Sequence, residues 1–117
     1  MQTKLVKLTR EQEADLGFRI SAGHMAEQAL EENLSAQQRA DVECIQADGL
    51  AARNELVTAN TRLAESRARR FQGVGRDADD LAADGYEALV IAADRFDPNE
   101  GTRFSTFAVA HIDPAIQ

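Results

Sequence analysis

Tryptophan is absent from these 117 residues, proline occurs twice and cysteine once. So little proline leaves long helices uninterrupted, and alanine is abundant, which favours helix over strand. The lone Cys44 can close no internal disulfide; it suits a reducing compartment such as the cytoplasm and reads as a small apolar residue within a helix. No apolar run approaches the roughly 20 residues that cross a bilayer, so no membrane partner is expected. The opening MQTKLVKLTREQE turns charged at once, without the apolar stretch of a signal peptide. No nucleophile stands beside a base, and neither His24 nor His111 belongs to a set with metal-ligand spacing. The sequence therefore offers no catalytic centre, metal site or cofactor site.

What is present is charge, unevenly placed. A net charge of −7 argues against unaided, non-specific binding to nucleic acid, which depends on neutralising phosphates. Yet Arg62, Arg67, Arg69, Arg70 and Arg76 lie in one stretch opposed only by Glu65, and Asp77, Asp79, Asp80, Asp84 and Glu87 follow directly. A basic block abutting an acidic block implies two partners of opposite character on two faces.

Helix signals run the length of the chain. Thr9 with Gln12 forms a capping-box pattern, and Leu16 and Ile20 support a helix expected to stop at Ser21-Ala22-Gly23. A second helix is expected from His24 to Asn33, and a third, capped by Ser35, to end at Asp48-Gly49. The longest stretch, 50–71, places Leu50, Val57, Ala64, Ala68 and Phe71 on one face, widened by Leu56 and Leu63. Gln72-Gly73-Val74-Gly75 breaks it. Asp77 then caps a helix with Leu81, Gly85, Leu89, Ala92 and Phe96 inside. Asp97-Pro98-Asn99-Glu100-Gly101 is a turn, and a last helix carrying Phe104, Phe107 and Val109 should kink or stop near Ile112, ahead of Pro114. The expected fold is all-α, a compact bundle of about six helices. It is one structural unit, with an N-terminal segment over 1–49 and the main part over 50–117.

Three segments carry a resemblance. LTREQEADLGFRISAG (8–23), ARNELVTANTRLAESRARRFQGVG (52–75) and DLAADGYEALVIAADRFDPNEGTRFSTFA (80–108) are similar, in that order, to regions 1.2 and 2 of bacterial housekeeping-type RNA polymerase sigma factors. The run RFDPNEGTRFSTFA is the specific part. The resemblance implies a non-enzymatic transcription initiation domain that binds the clamp coiled-coil of core RNA polymerase and single-stranded promoter DNA of the −10 type. By position, it assigns polymerase binding to Asp80, Ala83, Asp84, Tyr86 and Val90, with Ala83 and Tyr86 standing where amides are common. It assigns DNA contacts to Asn60, Arg62, Phe96, Arg103, Phe104, Thr106, Phe107 and His111. Promoter opening needs aromatic faces on which extruded bases stack, each worth about 1–3 kcal/mol. Phe104 and Phe107 are the expected stacking faces.

Departures from the family are also legible. Ala110 and His111 occupy the places of a tryptophan pair that forms the wedge at the upstream edge of the bubble. Glu65 and Arg67 replace aliphatic residues, which implies a shallowly packed helix or contact with solvent. As given, the chain stops before the helix that reads the upstream end of the −10 element and before the module that reads the −35 element, so the resemblance implies a partial factor. Two further readings stay open: a mimic that occupies the polymerase clamp or an anti-sigma protein without opening DNA, and an inactive fragment. The shared core predicts a monomer in isolation.

Overall fold

Thr9 starts the first helix as its sequence predicts: its hydroxyl accepts from the Gln12 amide at 3.1 Å, and the Gln12 side chain accepts from the Thr9 amide at 2.8 Å. In the computed structural model, which describes residues 7–71, 73 and 75–117, this helix, α1, spans Arg10–Ala29 without stopping at Gly23. Ser35 and Gln38 form a second capping box, and α2 runs Ala36–Ala59 straight through Gly49. Both glycines serve close approach and end no helix. A Cβ on Gly23 would stand 2.9 Å from the Gly49 Cα, and one on Gly49 2.8 Å from the Gly23 Cα. The division at residue 49 thus falls inside α2.

The expected helix over 50–71 is instead interrupted at Asn60. The Asn60 amide donates back to the Leu56 carbonyl at 2.8 Å and the Thr61 hydroxyl to the Val57 carbonyl at 3.1 Å, local bonds that compete with continued helix. From there α3 spans Thr61–Arg70. Leu50 leaves the expected inner stripe and is half exposed, whereas Leu56, Val57, Ala64 and Ala68 are buried. Of the expected break after Phe71, Gln72 and Val74 lie outside the described residues, as do the first six residues of the chain.

Asp77 caps α4, Ala78–Arg95, whose Leu81, Gly85, Leu89 and Ala92 are buried with Phe96 as the sequence predicts. A short 3-10 turn, Pro98–Glu100, is closed by Gly101 at φ 79°, a left-handed conformation that favours glycine. The last helix, α5, spans Phe104–Ile116 and holds Pro114 inside it. It continues past the expected stop because Ile112 and Ile116 are both fully buried. Their burial, about 1.5–3 kcal/mol each, offsets the hydrogen bond that proline forfeits and the clash of its ring with the preceding turn. One apolar core joins all five α-helices, from Leu16 and Ile20 on α1 to Ile116 on α5. No strand occurs among the described residues, and no helix among them is long and apolar enough to cross a membrane.

Candidate functional site

The start of α5 is fixed by a residue ninety positions upstream. Arg103 occupies the N-cap but offers no side-chain cap, leaving the first amides of the helix to find other acceptors. Glu13, on α1 and 6% exposed, supplies one. Its carboxylate accepts the Phe104 amide at 3.1 Å and both Arg103 Nε at 3.0 Å and Nη2 at 3.1 Å. A negative charge there also suits the positive end of the helix. The Glu13 carboxylate in turn raises the Arg103 guanidinium above its ordinary range. Arg103, expected to meet DNA, is committed instead to Glu13 and to the Leu8 carbonyl at 3.2 Å. Sequence reasoning missed Glu13, and a contact across ninety residues leaves no local signal.

The aromatic residues divide by depth. Phe104, Ala108, Ile112 and Ile116 recur every fourth residue and form the inward face of α5; Phe104 is fully buried. Its ring meets buried Phe96 edge to face, with centroids 5.2 Å apart at 78°. In this fold neither ring can offer a face to a base, which corrects the stacking role expected for Phe104 and the DNA contact expected for Phe96. Both support the layer above. That layer holds Phe107, half-buried, with centroids 5.8 Å from Phe96 and 4.6 Å from His111. His111 is half-buried as well, its Nδ1 3.2 Å from the Phe107 carbonyl. Thr106 and Ala110 are exposed on the same helix. On α3, Arg62, Arg69 and Arg70 face solvent, and Asn60 is half-buried at the break.

Arg67 corrects a second expectation. It neither meets open solvent nor loosens α3: its guanidinium grips the Asp113 carboxylate on α5 through two bonds, Nε to Oδ1 at 2.8 Å and Nη2 to Oδ2. The paired side chains keep only 20% and 21% of their accessible surface. That bond lowers the Asp113 carboxyl below the usual range, with nearby Arg70 adding to it. Glu65, by contrast, is exposed.

On α4 the expected polymerase-facing residues lie opposite the buried stripe. Asp80 and Ala83 are exposed, Asp84 and Val90 half-buried, and Tyr86 stands half exposed on the flank nearest Val90. Asp84 takes a bond from Arg76 at 2.5 Å, so the basic and acidic blocks touch at this point. Glu87 and Ile91 belong to the same outer face. The sequence reading placed Glu87 in the acidic block but assigned neither to the polymerase face, although Glu87 lies three residues after Asp84 and Ile91 four after Glu87.

Residues 56–116 match the Sigma-70 region 2 family. The RNA polymerase principal sigma factor HrdC of Streptomyces coelicolor is 34% identical over 116 residues, 94% of this chain and 34% of its own length. The RNA polymerase sigma factor SigA4 of Synechococcus elongatus is 33% identical over 101 residues, covering 86% of this chain and 31% of its own length. The RNA polymerase sigma-C factor of a Nostoc species is 38% identical over 68 residues, 58% of this chain and 16% of its own length. The chain thus spans about a third or less of these relatives. The similarity to HrdC reaches beyond the region 2 match into α1 and α2.

Proposed function

Because the chain belongs to the sigma-70 region 2 family, we propose that it serves transcription initiation through two surfaces. The outer face of α4, with Asp80, Ala83, Asp84 and Val90 and with Tyr86 at its flank, seats the domain on the clamp coiled-coil of core RNA polymerase. The side formed by α3 and α5 takes the single-stranded non-template strand of a −10 promoter element. The observation that carries the DNA reading is the Phe107–His111 pair, with ring centroids 4.6 Å apart, tilted at 45° and only half-buried. An aromatic ring braced from below and open above stacks a base for about 1–3 kcal/mol. Phe96 and Phe104 are the brace, while Arg62, Arg69 and Arg70 offer charges to phosphates. Asn60 and Thr106 are the neighbouring polar groups.

With a net charge of −7, the domain engages DNA when polymerase delivers it and not by itself. Acidic residues on α4 suit a basic coiled-coil and steer the encounter. Recovery of core polymerase by the wild-type domain, but not by Asp80→Arg/Asp84→Arg, is the expected result of a pull-down. Equal recovery would remove this face from the proposal. A second reading, a mimic that occupies the clamp or an anti-sigma protein without opening promoters, is favoured by one observation: exposed Ala110 and the small ring of His111 stand where the resemblance places tryptophans. Strand separation on a closed promoter by the domain with core enzyme distinguishes the two.

A further inference from the structure

Beyond the core, α1 and α2 continue as a two-helix arm, and among the described residues no third layer lies over it. From Ala36 to Asp48 no residue of α2 is fully buried. Along the outer side of the arm run Phe18, Ala22 and Met25 on α1, spaced by four and three, beside Cys44 and Ile45 on α2. Phe18, Met25 and Ile45 are 50%, 71% and 45% exposed. Phe18, Ala22, Cys44 and Ile45, with Arg19 and Asp48 at one edge, enclose an open, mostly apolar groove of about 480 Å³. Isolated exposed apolar residues are ordinary, but a contiguous stripe across two helices marks an interaction surface.

The charge around the groove identifies its occupant. Between Arg10 and Ala59 ten acidic side chains face four basic ones, so this arm and its root carry −6 of the chain's −7. Three of the four arginines are engaged: Arg19 with Asp48 at 2.7 Å, Arg53 with Asp94 at 3.4 Å, and Arg10 with the Gly101 carbonyl at 3.4 Å. Asp15 and Asp41 lie one helical turn beyond the apolar residues at either end, both exposed; Asp15 stands 3.6 Å from Arg19, and Asp41 accepts from the Gln37 side chain at 2.9 Å. Such a field repels nucleic acid, and it repels a second copy of the same arm. It complements one chemistry, a cationic helix with an apolar stripe.

We propose that the arm is a docking site for a basic amphipathic helix of a partner protein. Apolar side chains at i, i+3 or i+4 and i+7 of that helix sit against Phe18, Ala22 and Ile45, two helical turns or about 10 Å of groove. Its lysines or arginines meet Asp15 and Asp41. The site is separate from the α4 face and from the Phe107 side, so a partner bound here leaves both open.

The probe is a fluorescein-labelled 18-residue helix with leucines on one face and lysines elsewhere, titrated against the full chain by anisotropy. A scrambled peptide of the same composition is the comparator. Micromolar binding is expected, weakening as salt rises from about 50 to 300 mM, and falling at least tenfold for Ile45→Glu. Leu50→Ser, on an exposed part of α2 outside the groove, should bind like wild type. Alkylating exposed Cys44 with a bulky maleimide should block the peptide without any change of sequence, a control independent of mutant folding. Equal binding of the scrambled peptide would reduce the effect to bulk charge and overturn the proposal. Indifference to Ile45→Glu and to alkylation would overturn it too, as would no binding at all. A wild-type dimer in sedimentation equilibrium, dissolved by Ile45→Glu, would assign the groove to a second copy instead.

Discussion

At the residue scale, Glu13 and Arg67 show how single charges fix the geometry of α5 from outside it. Glu13 is the acceptor for the Phe104 amide, which has no cap of its own, and for Arg103. Glu13→Gln keeps the shape and loses the charge; it is expected to cost about 1–3 kcal/mol in urea unfolding, the range for a charge-assisted bond to a buried group. An unchanged midpoint would mean that water replaces the carboxylate. At the other end of α5, Asp113 is held below the usual carboxyl range by Arg67. A carboxyl with a depressed folded pKa contributes stability above its unfolded value, about 3.9, and loses it as pH falls through the folded value. Asp113→Asn should therefore narrow its stability deficit relative to wild type as pH falls below about 4. Exposed Asp48, lowered in the same direction by Arg19, remains in both proteins and cancels in the comparison. Parallel curves down to acid would remove the Arg67 pair from the account of stability.

At the element scale, the crossing of α1 and α2 depends on having no side chain at Gly23 or Gly49. Alanine at either position gains about 1 kcal/mol of helix propensity over glycine. It also drives a Cβ to within 2.8–2.9 Å of a backbone carbon, which cannot yield as a flexible side chain would. Overpacking of this kind costs about 1–3 kcal/mol, so the clash is expected to win and Gly49→Ala to lower the melting temperature. A raised melting temperature would show that the helices separate freely. The same two glycines explain which elements were legible in the sequence. A glycine after an apolar run reads as a helix stop, and only the facing helix reveals it as a contact. For that reason α1 and α2 were divided wrongly, while α4, the turn and the start of α5 followed from Asp77, Gly101 and the stripe around Leu89. The break at Asn60 was hidden because Asn and Thr bond back to the preceding carbonyls only in three dimensions. Of the candidate residues, the exposed placement of Asp80 and Ala83 on α4 was legible from their spacing, whereas the packing of Phe107 against His111 was not. The sequence could not separate buried Phe104 from half-exposed Phe107, since both continue one aromatic pattern, nor foresee partners 46 and 90 residues away for Arg67 and Arg103.

At the scale of the whole molecule, the surfaces are arranged by charge: an acidic arm, an acidic outer face on α4, and exposed arginines on α3. Under the proposed function, such a charge distribution disfavours unaided binding to duplex DNA and leaves single-strand capture to the polymerase-bound state. Capture and opening are then separable. In the proposal, capture is assigned to the ring of Phe107, so Phe107→Ala should weaken binding of a single-stranded −10 oligonucleotide, with core enzyme, by about 1–3 kcal/mol. Phe107→Tyr, which keeps the ring, should retain it and show that the loss is not a packing defect against Phe96. Opening is assigned by the same proposal to the junction, where Ala110 offers no ring and His111 a small one that already leans on Phe107. Tryptophan at both positions should increase opening of a closed fork-junction probe about tenfold for each 1.4 kcal/mol of stacking gained, while changing single-strand binding little. Ala110 is exposed, so the larger ring enters solvent and not the core. Gain in opening alone assigns the wedge position and leaves Phe107 as the capture site. Equal gains in both assays would place the new rings on the captured base. No gain, together with indifference to Phe107→Ala, would leave the clamp-occupying mimic as the better account of this surface.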